Sequence, residues 1–215
     1  MKKLKALSLV LAFSFIFSSC NKDAIEKQST EKMNEKKENL SQEKSTTDNK
    51  VSNVKSSGDV KLYTLESVEK SAGKNAAPDF TWTADGKKVS LKGMKGNVVL
   101  VNLWATWCKP CIKEMPDLSV ISEELKDKNF QMIGVNIFQQ EGSKTVSDFL
   151  KTNPVAYTIL DGNQQIVDAF GEATGNTIQA VPTTFIIDKN GRIAETIVGG
   201  RSKEAFLGII NKYLN

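Results

Sequence analysis

Histidine is missing from all 215 residues. That excludes imidazole as a general acid or base, and with it most zinc and copper sites and haem ligation through a ring nitrogen. Cysteine is scarce too: Cys20, Cys108 and Cys111 complete the set. If Cys20 has a separate task, the other two form a closed couple with nothing left over. The net charge of +4 is spread over residues of both signs, with no basic block and no interleaved aromatics. Nucleic acid is therefore not expected as a partner. No internal repeat is visible. The chain is long enough for one domain of ordinary size plus extensions, or for two small domains.

Long apolar runs are absent as well. The most apolar stretch, Ala6 to Phe17, is about a dozen residues broken by Ser8 and Ser14. It is too short to cross a hydrocarbon core of about 30 Å as a helix. Lys2, Lys3 and Lys5 precede it, and a basic head on a short apolar run is the pattern of a signal peptide, expected over residues 1–19. Phe17-Ser18-Ser19-Cys20 then resembles the lipobox of bacterial lipoproteins, which implies lipidation of Cys20 as the mature N-terminus. An ordinary cleaved leader and a retained anchor are the alternatives. All three put the domain outside the cytoplasm, where disulfide chemistry is permitted.

Aromatics are lacking from Asn21 to Asp59, where Lys, Glu, Asn, Ser and Thr surround isolated aliphatic residues. So little apolar surface does not offset an ordering cost of roughly 1–2 kcal/mol per residue. Residues 20–75 are read as the lipidated cysteine and a charged, flexible linker. Within it Val60 to Val68 is more apolar, consistent with a short strand or helix packed on the domain.

From residue 76 the composition changes. Phe80, Trp82, Val89 and Leu91 flank Asp85-Gly86, a hairpin signal. Val98 to Trp104 is almost continuously apolar, as in a strand covered on both faces. Ile112, Met115, Leu118, Ile121 and Leu125 carry helical spacing, with Pro116 expected to kink that helix. Phe130 to Phe138 predicts a second buried strand, Ser143 the cap of a helix, and Tyr157 to Leu160 a short strand. Gln164 to Phe170 predicts a short helix followed by a long loop. Thr183–Ile187 and Arg192–Val198 predict strands joined at Asn190-Gly191, and Ser202 the cap of a last helix. A mixed sheet flanked by helices is the packing this order favours, over residues 76–215.

What is there, at the junction of that apolar strand and helix, is Trp107-Cys108-Lys109-Pro110-Cys111. The thiolate is the attacking form of cysteine. At a helix start Cys108 meets unpaired N–H groups and the positive end of the macrodipole, and Lys109 adds a cation. Both lower its pKa and make it the nucleophile. Cys111, one turn further and more buried, is then the resolving thiol that releases a mixed disulfide. A purely structural disulfide is a competing reading. Half of a metal site is another, but no third Cys or His stands in the domain, and no metal or cofactor is expected. A peroxidatic cysteine fits poorly, because Val101 stands where its upstream Pro is needed.

The segment Val99 to Cys111 is similar to the active-site segment of the thioredoxin superfamily, and more narrowly of its TlpA/ResA-type extracytoplasmic oxidoreductases. That resemblance implies a thioredoxin-like α/β fold: a central mixed sheet flanked by helices, with an N-terminal β-hairpin and an inserted helix–strand. It also implies a redox-active Cys108–Cys111 disulfide. Val181-Pro182-Thr183 matches the loop whose cis-proline faces the active site, with Trp107, Val181 and Pro182 as substrate contacts; an ordinary strand-edge proline is the alternative. Glu114 matches an acidic residue near the cysteines and is a candidate for proton transfer, against the alternative of a solvated helix residue. Asn102 departs from the buried Asp of thioredoxin and does not titrate.

The implied function is reduction of disulfides in exported proteins, fed by a membrane-bound thiol-disulfide electron donor, with cytochrome c maturation as the relatives' context. An oxidant or isomerase, or a non-catalytic surface lipoprotein with a structural disulfide, are the other readings.

Overall fold

The computed structural model describes residues 61–215. The leader, Cys20 and most of the charged linker lie outside the described residues. Strand β5 (Val98–Trp104) is the axis of a six-stranded sheet, and every residue in it is buried. It pairs in parallel with β6 (Phe130–Asn136) and antiparallel with β8 (Thr183–Ile187). Strand β7 (Thr158–Asp161) extends the sheet beyond β6 in parallel, and β9 (Ile193–Val198) closes the other edge against β8.

The domain boundary expected at residue 76 is corrected upstream. Leu62–Thr64 forms β1, which pairs in parallel with β7 and covers its outer edge. Ser67–Val68 forms β2 and adds to the hairpin of β3 (Phe80–Ala84) and β4 (Lys87–Ser90). The apolar residues of this stretch find a sheet edge and a core to join, so it is folded rather than linker. At the hairpin tip Asp85 and Gly86 both have positive φ, 50° and 72°, as the two-residue turn between twisted strands requires.

Helices α1 (Lys109–Leu125), α2 (Val146–Thr152) and α4 (Lys203–Leu214) bury their apolar stripes on one face of the sheet, with Leu100 and Trp104 of β5. Helix α3 (Gln164–Thr174) and the hairpin cover the opposite face, against Val99, Val101 and Leu103. Alternate residues of β5 thus feed two separate cores, which is why its sequence reads as a continuous apolar run.

Local detail differs at two helices, α2 and α3. Helix α1 runs on through Pro116, which is exposed, as far as Leu125, so the proline does not end it. Thr145, not Ser143, caps α2 by accepting from Asp148 N–H at 3.1 Å, while the Ser143 hydroxyl donates to the Gln140 carbonyl. Helix α3 runs past Phe170 to Thr174 and ends at Gly175 with φ 71°, so the following loop is shorter than expected.

Candidate functional site

The segment leaving β5 is fastened on both sides before the first cysteine. Ile137 N–H donates to the Trp104 carbonyl at 2.9 Å, and the Thr106 hydroxyl donates to the Lys144 carbonyl at 3.0 Å. Trp107 Nε1 donates to the Phe138 carbonyl at 2.7 Å, leaving the indole 38% exposed beside the cysteines. Cys108 N–H returns to the Ala105 carbonyl at 3.1 Å, which closes the turn.

Cys108 is the N-cap of α1. Its extended backbone places Sγ over the helix start, where it accepts the Cys111 N–H at 3.2 Å. A sulfur at a helix N-terminus sits among donors left over by the helix, and a negative charge there is stabilised. Cys108 and Cys111 are joined in a disulfide with S–S 2.04 Å. Both residues are nearly enclosed, 3% and 0% exposed. Pro110, in the first turn, gives up no helical bond by lacking its N–H.

One turn beyond Cys111, Glu114 is buried against the sheet rather than solvated. Its Oε1 accepts from Asn102 Nδ2 at 2.9 Å, and its Oε2 from the Arg201 N–H at 3.3 Å. The same Asn102 Nδ2 donates to Thr184 Oγ1 at 2.9 Å, across the register pair that joins β5 to β8. Loss of hydration on burial outweighs those bonds, and the Glu114 carboxyl is pushed up to about 7. It can therefore hold or release a proton near neutral pH. Trp104, two residues from Asn102 on the same face, has an Nε1 without a partner among the described residues. So has the hydroxyl of Tyr157, which burial drives well above the ordinary phenol range, helped by the charge of Glu114.

The Val181–Pro182 peptide bond is cis. Register pairs Leu103 with Thr183, so Pro182 lies opposite the end of β5, where the cysteine segment departs. Pro182 is buried and Val181 half-buried, packed against the cluster that contains both cysteines. Among the described residues no group of three or more Cys, Asp or Glu converges as a metal ion requires.

The Redoxin family model matches residues 71–210. A thiol-disulfide oxidoreductase ResA of Bacillus thuringiensis is 35% identical over 138 residues, covering 63% of this chain and 75% of that protein. The chain belongs to the redoxin family and is a ResA-type thiol-disulfide oxidoreductase. Among solved structures, a thioredoxin-family thiol:disulfide interchange protein from Chlorobium tepidum aligns with TM-score 0.58 and 32% identity. That alignment covers 67% of this chain and 99% of the other. A pneumococcal exposed lipoprotein thioredoxin from Streptococcus pneumoniae aligns with TM-score 0.51 and 26% identity, over 62% and 98%.

In this ResA-type oxidoreductase the fold gathers Cys108, Cys111, Glu114, Trp107, Val181 and Pro182 at the C-terminal end of β5. Cys20 lies outside the described residues. Sequence reasoning missed Thr184 and the Arg201 N–H as partners in the Glu114 network. Thr184 reaches Asn102 through strand register between positions 82 apart, which no local pattern encodes. The tandem Gly199-Gly200 just before the Ser202 cap was the one visible sign that a tight loop stands there.

Proposed function

We propose that the chain reduces disulfides in exported proteins, with Cys108 as nucleophile and Cys111 as resolving thiol. The observation that supports this most is Cys108 Sγ at the start of α1, accepting the Cys111 N–H, with the protonatable Glu114 one turn away. In the reduced protein the Cys108 thiolate attacks one sulfur of the partner's disulfide, forming a mixed disulfide and expelling one partner thiolate. Cys111 passes its proton to the Glu114 carboxylate, attacks Cys108 Sγ and expels the second thiolate. Two electrons leave the protein, which is left in the disulfide form. A membrane-bound dithiol donor restores it.

Trp107 offers an exposed apolar surface beside the pair. The Val181 backbone, whose N–H and carbonyl enter no backbone bond among the described residues, offers pairing to an extended partner segment. The domain works outside the cytoplasm, held to a membrane by lipid on Cys20 and spaced from it by the charged linker. The lipoprotein character of the pneumococcal neighbour favours this arrangement. None of the described helices is long and apolar enough to cross a membrane. Reduction of the haem-binding cysteines of apocytochrome c is the task that the ResA likeness suggests.

Redox titration of the tryptophan fluorescence tests the direction of electron flow. A reductase requires a potential well below that of strong oxidants, and a value near about −120 mV would make the protein a disulfide donor instead. For the anchor, mass spectrometry of the mature protein is expected to show an acylated Cys20, and Cys20→Ala to release the protein from membranes. An unmodified mature N-terminus beyond Cys20 rules out the lipid.

A further inference from the structure

A groove of about 630 Å³ opens beside the disulfide, beginning at the two residues between the cysteines. Lys109 and Lys113 stand one helical turn apart on its α1 wall, and Arg201 faces them from the loop between β9 and α4. All three are exposed, and none is in an ion pair among the described residues. Arg201 Nη1 donates to the carbonyls of Gly199 and Gly200, at 3.1 and 3.0 Å, which holds the guanidinium at the rim. Of the groove's carboxylates, Asp117 is engaged by the Lys203 N–H at 3.2 Å, and Glu114 is bonded to Asn102 and Arg201. The balance of charge at the groove is positive.

Gly200 keeps the floor open. Its φ lies outside the left-handed range, so the backbone does not demand glycine, yet a Cβ there stands 3.3 Å from Glu114 Oε2 and 3.7 Å from the Pro110 carbonyl. The missing side chain leaves room between Glu114 and whatever occupies the groove. Lys109 and Lys113 are separated by roughly 6 Å along the helix, close to the roughly 6.6 Å between alternate side chains of an extended chain.

We propose that this groove seats an acidic stretch of the disulfide-bearing partner, with carboxylates at alternate positions beside its cysteine meeting Lys109, Lys113 and Arg201. The proposal rests on the reading of the chain as a reductase of protein disulfides and adds a preference for one class of partner sequence. The groove starts at Lys109 and Pro110, so a partner whose disulfide lies on Cys108 lays its neighbouring residues there.

The test uses the full chain, freshly reduced, and two disulfide-linked peptide dimers. One peptide carries Glu at the second and fourth positions after its cysteine, and the other carries Gln there. At low salt the Glu peptide is expected to be reduced about tenfold faster, and in 1 M salt, where screening acts over about 3 Å, within about twofold of the Gln peptide. Lys113→Glu is expected to slow the Glu peptide about tenfold and leave the Gln peptide within about twofold. Equal rates for the two peptides, or a preference that survives both salt and Lys113→Glu, overturns the groove assignment. Failure to reduce either peptide overturns the reductase reading on which it rests.

Discussion

The two faces of β5 are built from alternate residues of one strand, yet they differ in kind. On the α3 side Val99, Val101 and Leu103 belong to an apolar cluster, with Phe170 stacked on Phe185 at 4.3 Å between ring centroids. On the α1 side Leu100, Asn102 and Trp104 share their space with Glu114 and Thr184. The Trp104 indole N–H, the Asn136 amide nitrogen and the Tyr157 hydroxyl there have no partner among the described residues. The dry face contributes stability by area and close packing. The other face buries polar groups at a cost, and it lies beneath the helix that begins at the cysteine pair. Both sides of the strand carry an apolar core, but the Glu114 network and the cysteine pair lie on the α1 side.

The largest effect expected is at the nucleophile. Cys108→Ser is expected to reduce insulin disulfides at no more than the uncatalysed rate, and Cys111→Ser to accumulate mixed disulfides visible on non-reducing gels. Activity retained in both variants removes the chemistry from the α1 side altogether.

Next is the dry face. Phe170→Ala is expected to cost roughly 3–5 kcal/mol in urea unfolding, from lost transfer energy and the cavity left behind. The pH profile of Cys108 alkylation in the same variant should be unchanged. A shifted profile breaks the separation of the two faces.

Glu114 tests the wet face by its pH dependence. Its carboxyl is raised from an ordinary value of 4.5 to about 7 in the folded protein. Below pH 4.5 it is protonated in both states and costs nothing. Between 4.5 and 7 the unfolded chain loses the proton first, so stability falls as pH rises, by about 3 kcal/mol in total, and stays lower above 7. In the oxidised protein Glu114→Gln should match wild type below pH 4.5 and exceed it by about that amount above 7. Parallel urea midpoints across this window return Glu114 to an ordinary surface carboxylate.

The smallest effect sharpens the picture. Thr184→Val removes one of the two bonds made by Asn102 Nδ2 and leaves the bond to Glu114 in place. A loss of about 1 kcal/mol is expected. A loss several times larger would mean that Thr184 holds the whole network in register.

Much of the fold was legible because it is local. The apolar run of β5, the helical spacing after Cys111 and the Asp85-Gly86 turn each declare themselves within a few residues. Where reading slipped, competing local signals were close together, as with Ser143 and Thr145 at the start of α2. The edge strand at Leu62–Thr64 was ambiguous because three residues carry little periodicity and gain their place only by pairing with β7.

By itself the sequence determined the redox pair, the helix start that carries it and the absence of histidine beside it. These follow from residue identity and from propensities acting over one or two turns. Only the tertiary structure decided that Glu114 is buried, that Asn102 bonds it, and that Arg201 and Thr184 complete its surroundings. A carboxyl's proton affinity depends on the water removed from it and on the donors aimed at it. One donor, Asn102, comes from β5, 12 positions away in the chain, and the other, the Arg201 N–H, from a loop 87 positions away, both brought in by register and packing.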